Sequence, residues 1–225
     1  MRVSAIVLAA GRGLRLKTRL SKPLVRIKDK PVIIYSLEAL ISHPGVDEII
    51  VVANRGNLRA ITALIKKYRL AKIRTVTLGG ARRQDSVSSG LRCLGKNTDL
   101  VLIHDAARPF LEKCFISRLI REAAKYGASI LGIPVKSTLK KTSGSSRLVE
   151  RTVSRQGLWE IQTPQVFRRD LLLESFSRFG REDVTDDAML AEKLGVKIKI
   201  VEGSSRNIKI TSPEDIRIAA AIAGG

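Results

Sequence analysis

The feature of this sequence that most constrains its fold is a regular alternation of short apolar runs with segments of helical periodicity. Residues 3–9 are almost continuously apolar and have the length of a buried parallel strand. The pattern predicts further strands at residues 46–53, 73–78, 100–104, 128–135 and 196–201. It predicts helices at residues 31–41, 58–68, 86–94, 115–125, 169–176 and 185–194, and from residue 212 or 213 onward. Strands that alternate with helices indicate an α/β fold: a doubly wound, mostly parallel, Rossmann-like sheet with helices on both faces.

One stretch breaks this rhythm, at about residues 136–160. It is rich in Thr, Ser, Gly and Lys, and residues 148–153 have the pattern of a strand that follows a turn at residues 143–146. These features predict a β-hairpin arm that projects from the sheet. Because the sequence contains no internal repeat and no linker, we expect a single domain over residues 1–225 with this arm as an insertion.

The composition excludes several classes of protein. Apolar residues make up 44% of the 225 positions, which is enough for a sizeable core and excludes an intrinsically disordered chain. No apolar run is long enough to span a bilayer, and the first run leads directly into Gly11, which favours a strand over a signal peptide. The two cysteines, Cys93 and Cys114, provide neither a disulfide framework nor paired zinc-ligand spacing. We therefore expect a cytoplasmic protein with no membrane partner.

The charge of the chain indicates an anionic partner. Lys and Arg number 41 and Asp and Glu number 21, a net charge of +20. Such a charge suits either a nucleic acid or a small molecule that carries several phosphates. The basic residues form no tail, and aromatic residues, at 4%, do not interleave with a basic run to form a stacking platform. These two observations favour the phosphorylated small molecule and predict no nucleic-acid partner.

A glycine-containing loop follows the first predicted strand, where open α/β sheets bind ligands. The loop reads Ala9-Ala10-Gly11-Arg12-Gly13-Leu14-Arg15, and Lys22 follows it. Glycines allow backbone N–H groups to approach an anion, and the basic side chains add charge. The loop lacks the third glycine of a dinucleotide fingerprint and the Gly-Lys-Ser/Thr of a P-loop. From spacing alone, a tight turn and a phosphate site remain equally compatible with it.

Four further motifs follow in order along the chain. They read Gly79-Gly80-Ala81-Arg82-Arg83-Gln84-Asp85-Ser86-Val87, His104-Asp105-Ala106-Ala107-Arg108-Pro109, Gln162-Thr163-Pro164-Gln165 and Asn207-Ile208-Lys209. With the first loop, this series resembles the 2-C-methyl-D-erythritol 4-phosphate cytidylyltransferase family of the non-mevalonate isoprenoid pathway. The resemblance extends from Val3 to Asp215, and its specificity rests on the second and third motifs together. Some family members carry a second pathway enzyme on the same chain, whereas we expect one activity here.

Asp105 is the candidate metal ligand. It follows the fourth main strand, at the end of the sheet where ligands bind, and Mg²⁺ typically takes one or two carboxylates together with phosphate oxygens. The alternative for Asp105 is a helix N-cap. We expect His104 to be structural, because no second histidine lies at metal-ligand spacing. We interpret Thr185-Asp186-Asp187 as a helix N-cap with an acidic first turn and no catalytic role.

The resemblance also implies a nucleotide site. Its residues are Ala9, Ala10, Gly11, Arg12, Gly13, Gly80, Ala81, Ser86, Asp105, Ala106 and Arg108. In the family, the cytosine base is read by backbone groups at the positions of Gly80 and Ala81 and by the hydroxyl of Ser86. Ala81 stands where many relatives have an acidic residue, which bears on base selectivity if that carboxylate takes part. Without the resemblance, this stretch is equally a strand-to-helix turn.

The remaining implied site residues bind the sugar phosphate or stabilise charge. Thr138, Arg155, Thr163 and Lys209 match the family's sugar-phosphate positions, and Arg15 and Lys22 would stabilise negative charge on the triphosphate. We expect Arg15, Lys22, Arg155 and Lys209 to be the catalytic residues. In the family the arm reaches a second subunit and helps to build its site, which implies a homodimer. The alternative for Arg155 is a solvated arm residue.

The resemblance implies transfer of CMP from CTP to 2-C-methyl-D-erythritol 4-phosphate, with Mg²⁺ or another divalent cation as cofactor. A phosphate monoester is already largely dianionic at neutral pH, because its second pKa is about 6, so no general base is required. The closest alternative is a cytidylyltransferase for another polyol phosphate such as ribitol 5-phosphate. More distant alternatives are a hexose-phosphate nucleotidyltransferase and, from the charge alone, a nucleic-acid-binding protein.

Overall fold

The computed structural model describes residues 1–11 and 21–224. Its main feature is a seven-stranded sheet in the order β11-β7-β10-β6-β1-β4-β5. The strands of this sheet are β1 (Val3–Leu8), β4 (Glu48–Ala53), β5 (Ile73–Leu78), β6 (Leu100–Asp105), β7 (Ala128–Pro134), β10 (Trp159–Arg168) and β11 (Ile198–Glu202). Two smaller sheets pair β2 (Arg26–Ile27) with β3 (Lys30–Pro31), and β8 (Leu139–Ser143) with β9 (Leu148–Val153).

Seven helices accompany these strands in the described residues. They are α1 (Val32–Ile41), α2 (Leu58–Lys67), α3 (Arg83–Leu91), α4 (Lys113–Tyr126), α5 (Arg169–Phe179), α6 (Ala188–Lys193) and α7 (Pro213–Ile222). Most bounds lie within a few residues of those predicted. The helix expected at residues 185–194 is shorter, because residues 185–187 precede its first turn.

Both faces of the sheet are covered. Ala5 and Val7 of β1 belong to one apolar core, which α1, α2 and α4 cover. Ile6, between them in sequence, belongs to a second core, which α3, α5 and α6 cover. This division follows from the strand geometry, since successive side chains point to opposite faces. The predicted α/β sheet with helices on both faces is confirmed.

The sheet is mostly parallel, as predicted, but β10 runs antiparallel between β6 and β7. The other pairs in this sheet are parallel. The strand was not expected, because its middle contains Pro164, which weakens a strand pattern. The structure accommodates them with a register shift between Ile161 and Gln165. The chain therefore crosses the centre of the sheet with an irregular segment next to the end of β6.

The predicted hairpin is present. β8 and β9 pair antiparallel outside the main sheet, and a 3₁₀ turn at Gly144–Ser146 connects them. Leu148 and Val149 on this hairpin are 69% and 60% exposed.

None of the helices that the structure describes is both long and apolar enough to cross a membrane.

Candidate active site

The candidate site lies at the carboxyl ends of the central parallel strands. β1 pairs with β4 on one side and with β6 on the other, so the strand order reverses at β1. A crevice opens outside the strand ends at such a reversal, and open α/β sheets bind ligands there. Leu8, the last residue of β1, is in register with Asp105, the last residue of β6. The start of the first loop, residues 9–11, and the second motif therefore meet at this crevice.

Asp105 is held by two basic side chains. Lys209 Nζ lies 2.6 Å from Asp105 Oδ2, and Arg83 Nε lies 3.7 Å from Asp105 Oδ1. Burial by itself would raise the pKa of Asp105, but the charges of Lys209 and Arg83 outweigh it and hold that pKa well below its usual range. Asp105 is therefore a carboxylate at neutral pH. The helix N-cap alternative is wrong, because the next helix begins at Lys113 with Glu112 at its cap position.

Thr163 and His104 support the backbone at Asp105. The N–H of Asp105 donates to Thr163 Oγ1 at 3.0 Å, and His104 Nε2 donates to the carbonyl oxygen of Arg108 at 3.1 Å. Burial lowers the pKa of His104 to about 4, so its ring is neutral and Nδ1 can accept from the Thr163 hydroxyl at 3.2 Å. His104 thus has the structural role that we expected. The Thr163 hydroxyl is engaged with two protein groups, and the shift within β10 brings it there.

The last three motifs are joined by hydrogen bonds to Asn207. Its side-chain N–H₂ donates to Gln162 Oε1 at 3.1 Å and to the carbonyl oxygen of Thr163 at 3.0 Å. Its own carbonyl oxygen accepts from Arg108 Nη1 at 2.8 Å. Ala106, between these groups, is fully buried. Arg108 thus braces the segment that carries Lys209, whereas its predicted contact with the nucleotide stays a prediction.

The glycine pair after β5 lies against the start of the first loop. A Cβ on Gly79 would lie 2.5 Å from Ser86 Oγ and 2.9 Å from Ala10 Cβ, so a side chain at this position would collide with both. Ser86 is buried and donates to the carbonyl oxygen of Arg82 at 3.3 Å. Gly80 and Ala81 are exposed, and a groove of about 550 Å³ adjoins Gly79 and Gly80. The backbone groups that were predicted to read the base are accessible.

Two asparagines that the sequence analysis missed hold the flanks of the first loop. Asn57 Nδ2 donates to the carbonyl oxygen of Ala9 at 2.9 Å and to Ser21 Oγ at 3.2 Å. Asn54 Nδ2 donates to the carbonyl oxygen of Ala10 at 3.0 Å. Asn57 is fully buried. Two asparagines directly after an apolar strand were a signal that could have identified them.

The remaining predicted residues belong to the first loop, to the segment that follows it and to the region of the hairpin. Arg12, Gly13 and Arg15 fall outside the described residues, whereas Gly11 is exposed and Lys22 is half-buried at the start of a short 3₁₀ turn, Lys22–Leu24. Thr138 and Arg155 are exposed beside the hairpin, and Arg155 donates to the carbonyl oxygen of Lys136. Among the described residues of this one chain, no hydrogen bond or ion pair joins these two to Asp105.

A second acidic residue, Asp187, is linked to Asp105 through Arg83. Arg83, the first residue of α3, has Nη1 2.7 Å from Oδ2 of Asp187, which is fully buried. Burial raises the pKa of Asp187 and Arg83 opposes that rise. Met189 N–H instead donates to Asp186 Oδ1 at 3.1 Å, so Asp186 caps α6 and Asp187 makes no cap hydrogen bond. The segment therefore does begin the helix, as expected: Asp187 occupies the N-cap position, and the side chain of Asp186 makes the cap hydrogen bond.

The residues present fit a magnesium ion that is shared with a substrate. In the part of the chain that the structure describes, no three His, Cys, Asp or Glu side chains form a group that could hold a metal by themselves. Asp105 is ionised and lies at the ligand-binding end of the sheet. One such carboxylate together with phosphate oxygens and waters is a donor set that Mg²⁺ commonly takes.

Sequence comparisons identify a family. The model of the family described as IspD, 2-C-methyl-D-erythritol 4-phosphate cytidylyltransferase, matches residues 3–224. A relative of that same descriptive name from Geobacillus kaustophilus is 39% identical, and the match covers 99% of this chain and 97% of the relative. The bifunctional enzyme IspD/IspF of Desulfotalea psychrophila is 44% identical over 96% of this chain, and the chain spans 55% of that relative.

Comparison with solved structures indicates the same family. The 4-diphosphocytidyl-2C-methyl-D-erythritol synthase of Anaerococcus prevotii superposes with a TM-score of 0.87 at 32% identity, over 100% of this chain and 96% of that one. The 2-C-methyl-D-erythritol 4-phosphate cytidylyltransferase of Thermus thermophilus superposes with a TM-score of 0.80 at 29% identity, over 100% of both chains. The similarity therefore covers the whole fold and not the strand ends alone.

Proposed function

Because this chain belongs to the 2-C-methyl-D-erythritol 4-phosphate cytidylyltransferase family, we propose that it transfers CMP from CTP to 2-C-methyl-D-erythritol 4-phosphate. The products are 4-diphosphocytidyl-2-C-methyl-D-erythritol and pyrophosphate, in the synthesis of isoprenoid precursors. The observation that carries the proposal is the family match over residues 3–224. The ionised Asp105 with Lys209 at the ligand-binding end of the sheet supports it.

In the proposed reaction, a phosphate oxygen of the sugar phosphate attacks the α-phosphorus of CTP. A new P–O bond forms, and the bond from the α-phosphorus to the oxygen that bridges it to the β-phosphorus breaks. The attacking phosphate is already largely dianionic, since its second pKa is about 6. The site needs no general base, and the low pKa of Asp105 makes it unsuited to be one.

The protein's contribution is to position two polyanions and to stabilise the charge that develops. Lys209, 40% exposed in its side chain, can contact a phosphate while it remains beside Asp105. Lys22 and Arg15 are proposed to stabilise the triphosphate. Asp105 would hold Mg²⁺, which when bound neutralises charge on the phosphate oxygens.

We further propose that the active form is a homodimer in which the β8–β9 hairpin contacts the second subunit. The exposed Leu148 and Val149 supply an apolar surface on the hairpin. Thr138 and Arg155, which flank the hairpin and are exposed, would complete the sugar-phosphate site of the partner. A cytoplasmic location is part of this proposal and agrees with the free thiols of Cys93 and Cys114.

Pyrophosphate release tests the function directly. The experiment pairs CTP, ATP, UTP or GTP with 2-C-methyl-D-erythritol 4-phosphate or ribitol 5-phosphate, with and without Mg²⁺. We expect release only with CTP, the methylerythritol phosphate and the metal. Preference for ribitol 5-phosphate would refute the proposed sugar substrate and leave the nucleotide chemistry. No release from folded protein would refute the activity and direct attention to salt-dependent nucleic-acid binding.

The dimer has a separate test. Sedimentation of the wild type should give twice the monomer mass, and Leu148→Asp with Val149→Asp should shift the protein to monomer. A wild type that sediments as a monomer at assay concentration would refute the shared site.

A further inference from the structure

Four charged side chains of alternating sign run in series through the site. Asp187 pairs with Arg83, Arg83 reaches Asp105, and Asp105 pairs with Lys209. The four residues come from four separate places in the fold: the start of α6, the start of α3, the end of β6 and the segment after β11. Only the last three belong to motifs of the sequence analysis. Asp187 lies farthest from the crevice along this series.

Asp187 occupies a position that stability alone does not explain. It is fully buried, and neither its Oδ1 nor its Oδ2 has a hydrogen-bond partner among the described residues; Oδ2 has the ion-pair contact with Arg83. A buried ion pair gives little net stability, because desolvation offsets the attraction, and an apolar pair is often as good. The start of α6 does not need it either, since Asp186 makes the cap hydrogen bond.

The contact that Asp187 does make determines how Arg83 is oriented. The Arg83 guanidinium has Nη1 toward Asp187 at 2.7 Å and Nε toward Asp105 at 3.7 Å. Because the guanidinium is planar and rigid, fixing one edge on Asp187 also fixes the direction of the other edge. Lys209 contacts Asp105 Oδ2 at 2.6 Å, and Arg83 lies next to the other oxygen, Oδ1.

A second link anchors this support to the strand that carries Thr163. Gln165 Nε2 donates to Asp186 Oδ2 at 2.7 Å, which ties the residue next to Asp187 to β10. Thr163, on the same strand, accepts from the backbone N–H of Asp105. β10 therefore supports the backbone of Asp105 directly and its side chain through the start of α6.

We propose that Asp187 is a positioning residue for the nucleotidyl transfer: it fixes Arg83, and through Arg83 it holds the Asp105 carboxylate in its working orientation beside Lys209. This inference rests on the function proposed above. Asp187 touches no substrate in this role. Residues that orient a metal-binding carboxylate typically change activity 10–100-fold when altered, and we expect an effect of that size.

The test is a double-mutant cycle of Asp187→Asn and Arg83→Gln, read as kcat and KM for both substrates. Asp187→Asn keeps the shape of the side chain and should lower kcat about 10–100-fold, with KM changed less. If Asp187 acts through Arg83, the double variant should be no slower than Arg83→Gln alone. Losses that multiply in the double variant would show independent roles and overturn the proposal, as would an Asp187→Asn kcat within twofold of wild type.

Two controls separate positioning from damage to the fold. Glu48→Gln neutralises another buried carboxylate, which pairs with Arg2 and Arg74 at the opposite end of the sheet, so it should lower stability and leave kcat within about twofold of wild type. If Asp187→Asn does not fold, Arg83→Lys tests the positioning role. This variant keeps a positive charge opposite Asp187 and removes the guanidinium edge that faces Asp105. That variant should lose at least tenfold in kcat, and full activity would overturn the proposal. A wild-type protein that releases no pyrophosphate would refute the proposed function instead. Failure of the function and failure of the positioning role are therefore distinguishable.

Discussion

Two buried acidic residues, at opposite ends of the central sheet, are each held by a pair of basic side chains. Glu48 begins β4, and Arg2 and Arg74 lie 3.2 Å and 3.1 Å from its Oε2. Asp105 ends β6, between Lys209 and Arg83. The basic partners are exposed to similar extents at both ends, so exposure does not distinguish the two clusters.

The difference lies in how completely the polar atoms are paired. The second Glu48 oxygen, Oε1, accepts from Ser4 Oγ at 2.8 Å and from the N–H of Gly95 at 3.3 Å, so both carboxylate oxygens have two partners. Around Asp105, by contrast, Asp187 Oδ1, Arg108 Nε and Asn207 Oδ1 have no hydrogen-bond partner in the described part of the chain. Fully paired networks stabilise a fold, whereas unpaired buried groups cost stability and are retained where function requires them. We therefore expect the amino end of the sheet to be structural and its carboxyl end to bind ligands.

The largest effect that this contrast predicts is loss of activity in Asp105→Asn. Removing the carboxylate should lower kcat about 10³-fold, because preorganised electrostatic groups at such sites contribute on the order of 10²–10³ or more. The melting temperature should change little, since Arg83 keeps Asp187 as its charged partner and the desolvation cost of a buried carboxylate is removed. Pyrophosphate release and thermal unfolding measure the two quantities. Activity within threefold of wild type would place the reaction elsewhere.

The next largest effect is expected for Lys22→Ala. This variant tests whether basic residues at the carboxyl end of the sheet stabilise the transition state. We expect kcat to fall about 10²-fold and the KM for CTP to rise much less, as for loss of a cation that stabilises developing charge. Steady-state kinetics with varied CTP distinguishes the cases. An unchanged kcat with a raised KM would reduce Lys22 to ground-state binding.

Glu48→Gln should have the opposite signature. The amide retains the shape but leaves Arg2 and Arg74 without their charged partner, so the free energy of unfolding should fall by about 1–2 kcal/mol, a modest value because both arginines are half-exposed. The kcat should stay within twofold of wild type. Urea unfolding together with the pyrophosphate assay checks both, and a tenfold loss of kcat at unchanged stability would erase the contrast between the two ends.

The smallest effect is the pH dependence of that stability. Burial would raise the pKa of Glu48, but hydrogen bonds from Ser4 and Arg74 outweigh it and lower the pKa below its ordinary value of 4.5. A lowered pKa gives stability that is present above pH 4.5 and is lost as pH falls through the folded-state pKa. The difference in unfolding free energy between wild type and Glu48→Gln should therefore shrink below pH 4.5. A difference that stays constant from pH 7 to pH 3.5 would contradict it.

Much of the site was predictable because its residues occupy short motifs at strand ends. Asp105, Lys209 and Thr163 were identified from the sequence, and the structure brings them together through hydrogen bonds and an ion pair. Asn54 and Asn57 were missed although Asn54 directly follows the apolar strand β4 and Asn57 lies three residues further on. Their role depends on the carbonyl groups of Ala9 and Ala10, which follow β1 and come close only when β1 and β4 pair.

Local pattern alone determined the βαβ alternation, the hairpin and the position of each motif at a strand end, because apolar periodicity and turn residues act over a few positions. Tertiary structure alone decided that a stretch with Pro164 would become the antiparallel strand β10, since β6 and β7 supply its hydrogen-bond partners. It also decided that Asp187, in a segment with the pattern of a helix cap, would pair with Arg83. An ion pair between residues distant in sequence has no local signal, because it exists only once the sheet has brought α3 and α6 to the same face.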